Sequence, residues 1–199
     1  MGSVPWWGLL SSGAAPVLLI GGWTLAGALQ PAGFDPLVES ISALAARDAA
    51  SREVMSLAFF GVGICHLTTA AALRPVPTSA RALLAIGGVA TIGVAALPLP
   101  GGGADSLPHA AAAIVALVAI AAWPALAGRP HSIPVLRPLW CVGMAAVLLL
   151  HVGWFFVSVV ADAPLLGLSE RIAAGAQSMW PFVVVAALRH MTRAAVADG

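Results

Sequence analysis

Apolar residues run along this chain in six blocks, separated by short segments where proline, glycine and charge collect. A helix needs about 20 mostly apolar residues to span the hydrocarbon core of a bilayer. Blocks at about 9–29, 54–73, 82–97, 109–127, 139–160 and 171–188 meet or approach that length. The pattern predicts an all-α fold: an integral membrane bundle of six transmembrane helices forming one domain over 1–199. The third block is short and carries Gly87, Gly88 and Gly93, small residues that let helix backbones approach closely in lipid. Pro108 suits the first turn of the fourth helix, and Pro181 predicts a kink in the sixth. The first block lacks a basic segment before it and is too long for a signal-peptide core, so it reads as a retained span. No internal repeat is visible, which argues against an inverted-repeat transporter.

The connection after the first block, 31–52, is too long and too patterned for a simple turn. Asp35-Pro36 reads as an N-cap followed by a first-turn proline. At 100° per residue Asp35, Glu39 and Ser42 then share one face, while Leu37, Val38, Ile41, Leu44 and Ala45 occupy the other. The expectation is a short amphipathic interfacial helix at about 36–47, with its apolar face on the bundle or in the lipid.

Composition narrows the classes further. The chain is 60% hydrophobic and 9% charged, with mean hydropathy +0.98, whereas a soluble domain is about 25% charged. A net charge of +1 leaves no basic face for nucleic acid. All nine basic residues are arginine: Arg74, Arg81, Arg129, Arg137, Arg189 and Arg193 flank the even connections and C-terminal tail, against Arg47, Arg52 and Arg171 on the other side. The positive-inside rule therefore predicts both termini in the cytoplasm. Seven of the eight acids fall on the opposite side, leaving Asp198 alone in the tail. Cys65 and Cys141 lie inside apolar blocks and form neither a disulfide framework nor a CxxC metal pair.

Candidate chemistry collects at the acidic side. Glu39 could point inward over the bundle mouth, where partial desolvation would make it a usable proton donor or acceptor; Asp35 stands one turn before it. The alternative is that Asp35 caps a helix and both carboxylates are solvated. His109 starts the fourth helix and Glu170-Arg171 the sixth, so His109 and Glu170 could converge with Glu39 as catalytic groups. An acid in a first helical turn is also favoured by the helix dipole alone. Gln177 lies two turns below Glu170, roughly 10 Å at the helical rise, and an amide at that depth needs a partner. Gln177, Trp180, Trp154, Arg171 and Phe34 are the candidate substrate-binding residues, the aromatics serving either as core or as a wall that stabilises positive charge. His66 and His151 lie deeper and could form a bis-histidine haem site or simply hydrogen-bond other helices. The sequence calls for no cofactor, and the His, Asp and Glu spacing is not diagnostic of a metal.

Several runs carry a likeness. Gln30-Pro31-Ala32-Gly33-Phe34-Asp35-Pro36, then Glu39-Ser40-Ile41-Ser42-Ala43-Leu44-Ala45-Ala46-Arg47, Gly61-Val62-Gly63-Ile64-Cys65-His66, Ser106-Leu107-Pro108-His109 and Gly167-Leu168-Ser169-Glu170-Arg171 resemble the actinobacterial members of the membrane family called domain of unknown function 998. The resemblance implies a six-span bacterial inner-membrane protein and no stated activity. Two functions stay open. One is an outward-facing acidic and histidine pocket that binds or processes a lipid-like or isoprenoid substrate by proton-transfer chemistry of the cyclase or isomerase type. The other is a non-enzymatic subunit or chaperone of a membrane assembly, using small-residue faces around Gly21, Gly22, Gly27, Gly61, Gly87 and Gly88. A transporter is less favoured because the spans lack a carboxylate or arginine near the midplane.

Overall fold

A computed structural model describes residues 3–50, 52–130 and 133–197, with side chains up to residue 191. Asp198 lies outside the described residues, and so does the side chain of Arg193. Six helices form in chain order: α1 (Trp6–Ala28), α2 (Arg52–Ala72), α3 (Thr78–Ala96), α4 (Leu107–Ala127), α5 (Pro138–Val160) and α6 (Leu166–Ala197). All six are long and apolar enough to cross a membrane, and no strand occurs among the described residues. The large apolar side chains left outside, such as Leu139, Leu150 and Val160 on α5, belong against lipid.

Each helix packs on its neighbours in sequence, and α6 returns to pack on α1, so the six close into a ring. Helices α4 and α6 also approach across it. Glycine makes the ring tight. A Cβ on Gly63 would sit 2.6 Å from the Gly88 carbonyl oxygen, and one on Gly88 would sit 2.8 Å from the Gly63 carbonyl oxygen. The α2 and α3 backbones therefore touch directly. Gly22 of α1 meets Ala58 of α2, and Gly87 of α3 meets Ile120 of α4, in the same way. Gly27 and Gly61 face Phe34 and Leu18 of the same chain. Of the six glycines expected to present a partner-binding face, only Gly21 is open; the others are used inside the bundle.

All six helices begin somewhat earlier than hydropathy suggests, α3 and α6 by the most. Helix α3 starts at Thr78 because Arg81 need not end it: its Nε donates to the Ala70 carbonyl at the end of α2, 2.8 Å away. Helix α6 starts at Leu166, which places Glu170 inside the helix instead of at its boundary.

The ends of the bundle have opposite character. At the acidic end the odd connections meet: the Arg47 N–H donates to the Leu99 carbonyl (3.0 Å) and the Gly167 N–H to the Val38 carbonyl (3.2 Å). At the arginine end Arg189 donates to the Val4 carbonyl (2.7 Å) and ties α6 to the start of the chain.

The expected interfacial helix at 36–47 does not form. A single turn at 35–39 is followed by a one-turn 3₁₀ helix, Ser42–Ala45. The reason lies in its hydrogen bonds. The Leu37 and Val38 carbonyls accept from the Leu168 and Gly167 N–H groups at the start of α6, and the Ile41 N–H donates to the Glu170 carboxylate. Ser40 Oγ then caps the Ala43 N–H at 3.0 Å. Bonding to α6 replaces the helical ladder, while Ile41, Leu44 and Ala45 still bury their side chains as the amphipathic pattern required.

Candidate functional site

A ring of six helices leaves a space on its axis, and here that space is a cavity of about 70 Å³. At about 10–15 Å³ per water it holds several waters or a group of similar size. Its wall is apolar: Leu19, Phe59, Val62, Val94, Leu117 and Ile120, with alanines of α4 and α6. Every helix except α5 contributes. Ile41 and Ser42 close it at the acidic end, where Glu170 also lines it.

Glu170 is 7% exposed, and its carboxylate accepts from the Ile41 N–H and, at 3.4 Å, from Ser42 Oγ. The carboxylate thus acts as an N-terminal cap for the 3₁₀ turn, supplied by another element of the chain. The seat is close as well. A Cβ on Gly167 would sit 2.6 Å from the Pro36 carbonyl oxygen and would collide with that of Glu39.

Four other polar side chains line the cavity: His66, Thr91, Gln177 and Ser178. Thr91 and Ser178 are satisfied by carbonyls of their own helices, Gly87 and Gly175, each at 2.8 Å. His66 and Gln177 are not. They are 1% and 2% exposed, and His66 Nδ1 and Gln177 Nε2 have no hydrogen-bond partner among the described residues. The break at Gln177 extends to the backbone: Pro181, four residues on, has no N–H to give to the Gln177 carbonyl. An imidazole nitrogen and an amide nitrogen without partners therefore line one apolar cavity at membrane depth, where every polar group needs a partner.

The family model described as Protein of unknown function (DUF998) matches residues 13–187. The chain belongs to that family. No curated protein and no solved structure matches it.

The remaining candidates of this DUF998 protein are dispersed. Glu39 is exposed and does not point into the cavity; its Oε1 accepts from the Asp35 N–H (3.3 Å), while Asp35 Oδ1 accepts from the Leu37 N–H (2.8 Å). The two carboxylates cap their own turn, the solvated alternative set out for them. Glu39 also borders an open basin with Asp48 and the glycine loop 101–103, where Asp48 accepts from the Gly102 N–H at 2.7 Å. His109 is buried but absent from the cavity wall; its Nδ1 lies 2.8 Å from the Leu97 carbonyl, so Nδ1 carries the proton and joins α4 to the end of α3. The convergence of Glu39, His109 and Glu170 is not found: of the three only Glu170 reaches the cavity.

The expected aromatic wall is likewise absent. Trp154 is 39% exposed, Trp180 packs among the apolar side chains of α4 and α5, and Phe34 covers Gly27. Phe34 shares a groove with Trp23 and Arg171, whose Nη1 donates to the Glu39 and Gly167 carbonyls at 2.8 and 3.0 Å. Among the described residues Phe59 is the one phenylalanine or tryptophan on the cavity wall. His66 and His151 do not form a pair: His66 faces the cavity, whereas His151 is half-buried on α5 with Nδ1 bonded to its own Val147 carbonyl (2.7 Å). Among the described residues no group of three or more His, Cys, Asp or Glu is arranged to hold a metal.

Sequence reasoning missed Ser42, Thr91 and Ser178 as lining residues. For Thr91 and Ser178 a hydroxyl inside an apolar block is the signal, and Ser or Thr bonded to its own helix looks the same in sequence; Ser42 shows only as a polar position in the first connection.

Proposed function

We propose that this protein binds a membrane-resident amphiphile in the cavity of its bundle, with Glu170 as the carboxylic acid placed to exchange a proton with it. The observation that carries this reading is the unpartnered Gln177 amide beside His66 on an apolar wall. Two unsatisfied polar groups at that depth cost stability, and a bound polar head offsets that cost. Gln177 and His66 hold the head, and the apolar side chains take the first carbons of the tail. Proton transfer of the isomerase type is the chemistry one carboxylic acid could supply here without a cofactor. A cyclase would need more aromatic surface around a carbocation than Phe59 gives. The subunit reading rested on glycine faces that are now occupied by neighbouring helices.

Native mass spectrometry on the protein extracted gently from its own membrane tests the binding. Wild type should release one small molecule per chain, Gln177→Leu none, and Glu170→Gln the same molecule as wild type. Wild type that releases nothing contradicts the proposal. With the bound molecule removed from wild type, Gln177→Leu should also melt higher, because it exchanges an amide whose Nε2 is unpartnered for a hydrocarbon of similar volume, a gain of about 1 kcal/mol.

The arginine distribution supports both termini in the cytoplasm and the acidic end outside. In a chain whose Cys65 and Cys141 are replaced by serine, Gly102→Cys should react with an impermeant maleimide added to whole cells, and Arg129→Cys should not. Reaction at Arg129→Cys alone reverses the orientation.

A further inference from the structure

We infer that the ligand of the central cavity is an uncharged amphiphile whose polar end is a single hydroxyl group. The inference rests on the binding reading above and narrows it. The cavity wall contains no arginine, and the sequence contains no lysine. The cation nearest in sequence, Arg171, does not line the cavity: its Nη1 donates to the Glu39 and Gly167 carbonyls, its Nη2 has no partner among the described residues, and it borders the Phe34 groove instead. A phosphate, diphosphate or carboxylate in the cavity would therefore be a buried anion without a counter-charge, next to the Glu170 carboxylate, and such burial is strongly unfavourable. A cationic head fares no better. The Glu170 oxygens are already engaged by Ile41 and Ser42, and one ring, Phe59, does not make an aromatic cage.

What remains is a neutral head, and the free groups specify which. The Gln177 amide nitrogen offers donors, and Nδ1 of a neutral His66 imidazole donates in one tautomer and accepts in the other. A ketone or ester only accepts and is matched to one of those tautomers alone. A hydroxyl donates and accepts at one atom, and it stays matched whichever way the Gln177 amide is turned. The cavity, about 70 Å³, has room for a hydroxyl and the first few carbons. Candidate classes are long-chain and terpenoid alcohols.

The test uses a ten-carbon prenyl alcohol bearing a diazirine on its tail, together with its monophosphate and the corresponding carboxylic acid. Each is irradiated with wild-type protein in phosphatidylglycerol–phosphatidylethanolamine nanodiscs, and the labelled positions are mapped by peptide mass spectrometry. The alcohol should label cavity-lining residues of α2, α4 or α6, about tenfold more than either anion, and lose that labelling about tenfold in Gln177→Leu. Cavity labelling by the phosphate or acid as strong as by the alcohol overturns the hydroxyl assignment and leaves the binding reading intact. Absence of cavity labelling by all three, or alcohol labelling indifferent to Gln177→Leu, overturns both. The variant removes an unsatisfied group and keeps the side-chain volume, so its loss of label would not reflect unfolding; its melting temperature checks that.

Discussion

Replacing Gly88 by leucine is expected to abolish recovery of folded protein. A Cβ at Gly88 would meet the Gly63 carbonyl oxygen at 2.8 Å, the His66 Cβ at 3.1 Å and the Leu67 Cγ at 3.2 Å. The first of these is backbone of a facing helix and cannot rotate away. Relief requires moving α2 from α3, which would also separate Gly63 from Ile92, 2.6 Å from where its own Cβ would lie. Overpacking a core typically costs about 1–3 kcal/mol. A clash between two backbones lies at or above the top of that range. Association of helices in lipid depends on close packing because no hydrophobic term drives it, so nothing compensates. Gly21→Leu is the matched control, since a Cβ there meets nothing within 4 Å. Size-exclusion profiles of the two variants in mild detergent should show aggregate for the first and a wild-type peak for the second. A monodisperse Gly88→Leu protein would mean that the α2–α3 crossing is looser than described.

The second large effect is expected at Glu170, and its sign depends on what replaces the carboxylate. Glu170→Leu deletes the acceptor of the Ile41 N–H, at a residue 1% exposed, and of Ser42 Oγ. A buried donor without a partner costs about 1–3 kcal/mol, so the loss should reach about 2–4 kcal/mol if both donors are stranded. Glu170→Gln keeps a carbonyl oxygen for Ile41 and should lose far less. Hydrogen exchange reports the difference locally. The amides of Ile41–Ala45 should exchange much faster in Glu170→Leu, while those of α2 and α3 keep their protection. Equal protection in Glu170→Leu and wild type would show that apolar burial of Ile41 and Leu44 alone holds the connection down.

How much of this the sequence carried differs between fold and site. Six spans and their all-α character were legible because hydropathy over some twenty residues is a strong signal, and the helix starts that depart furthest from their expected places, those of α3 and α6, do so where a polar residue is satisfied by another element. Arg81 bonds the end of α2, and Glu170 bonds the first connection. Both looked like boundaries for that reason. The connection itself shows the limit of periodicity: Ile41 and Leu44 are buried as the helical pattern required, yet the backbone is not a continuous helix, because its carbonyls and N–H groups are claimed by Gly167, Leu168 and Glu170 from more than a hundred residues away. Within the site, Glu170 and Gln177 were identifiable as polar residues two turns apart on one helix. His66 was identifiable as a titratable group in a span. That His66 shares a cavity with Gln177, while His109 and Glu39 are diverted to Leu97 and Asp35, follows from ring closure between α1 and α6, which no local pattern encodes.

The most direct test of the central claim is the density inside the bundle. A map of the protein purified from its native membrane into nanodiscs, with a bound antibody fragment as fiducial, should show non-protein density in the cavity. Its polar end should lie within hydrogen-bond distance of the Gln177 amide, and its tail against Phe59 and Leu117. A cavity that is empty, or is filled by waters bridging Gln177 and His66, would contradict the account.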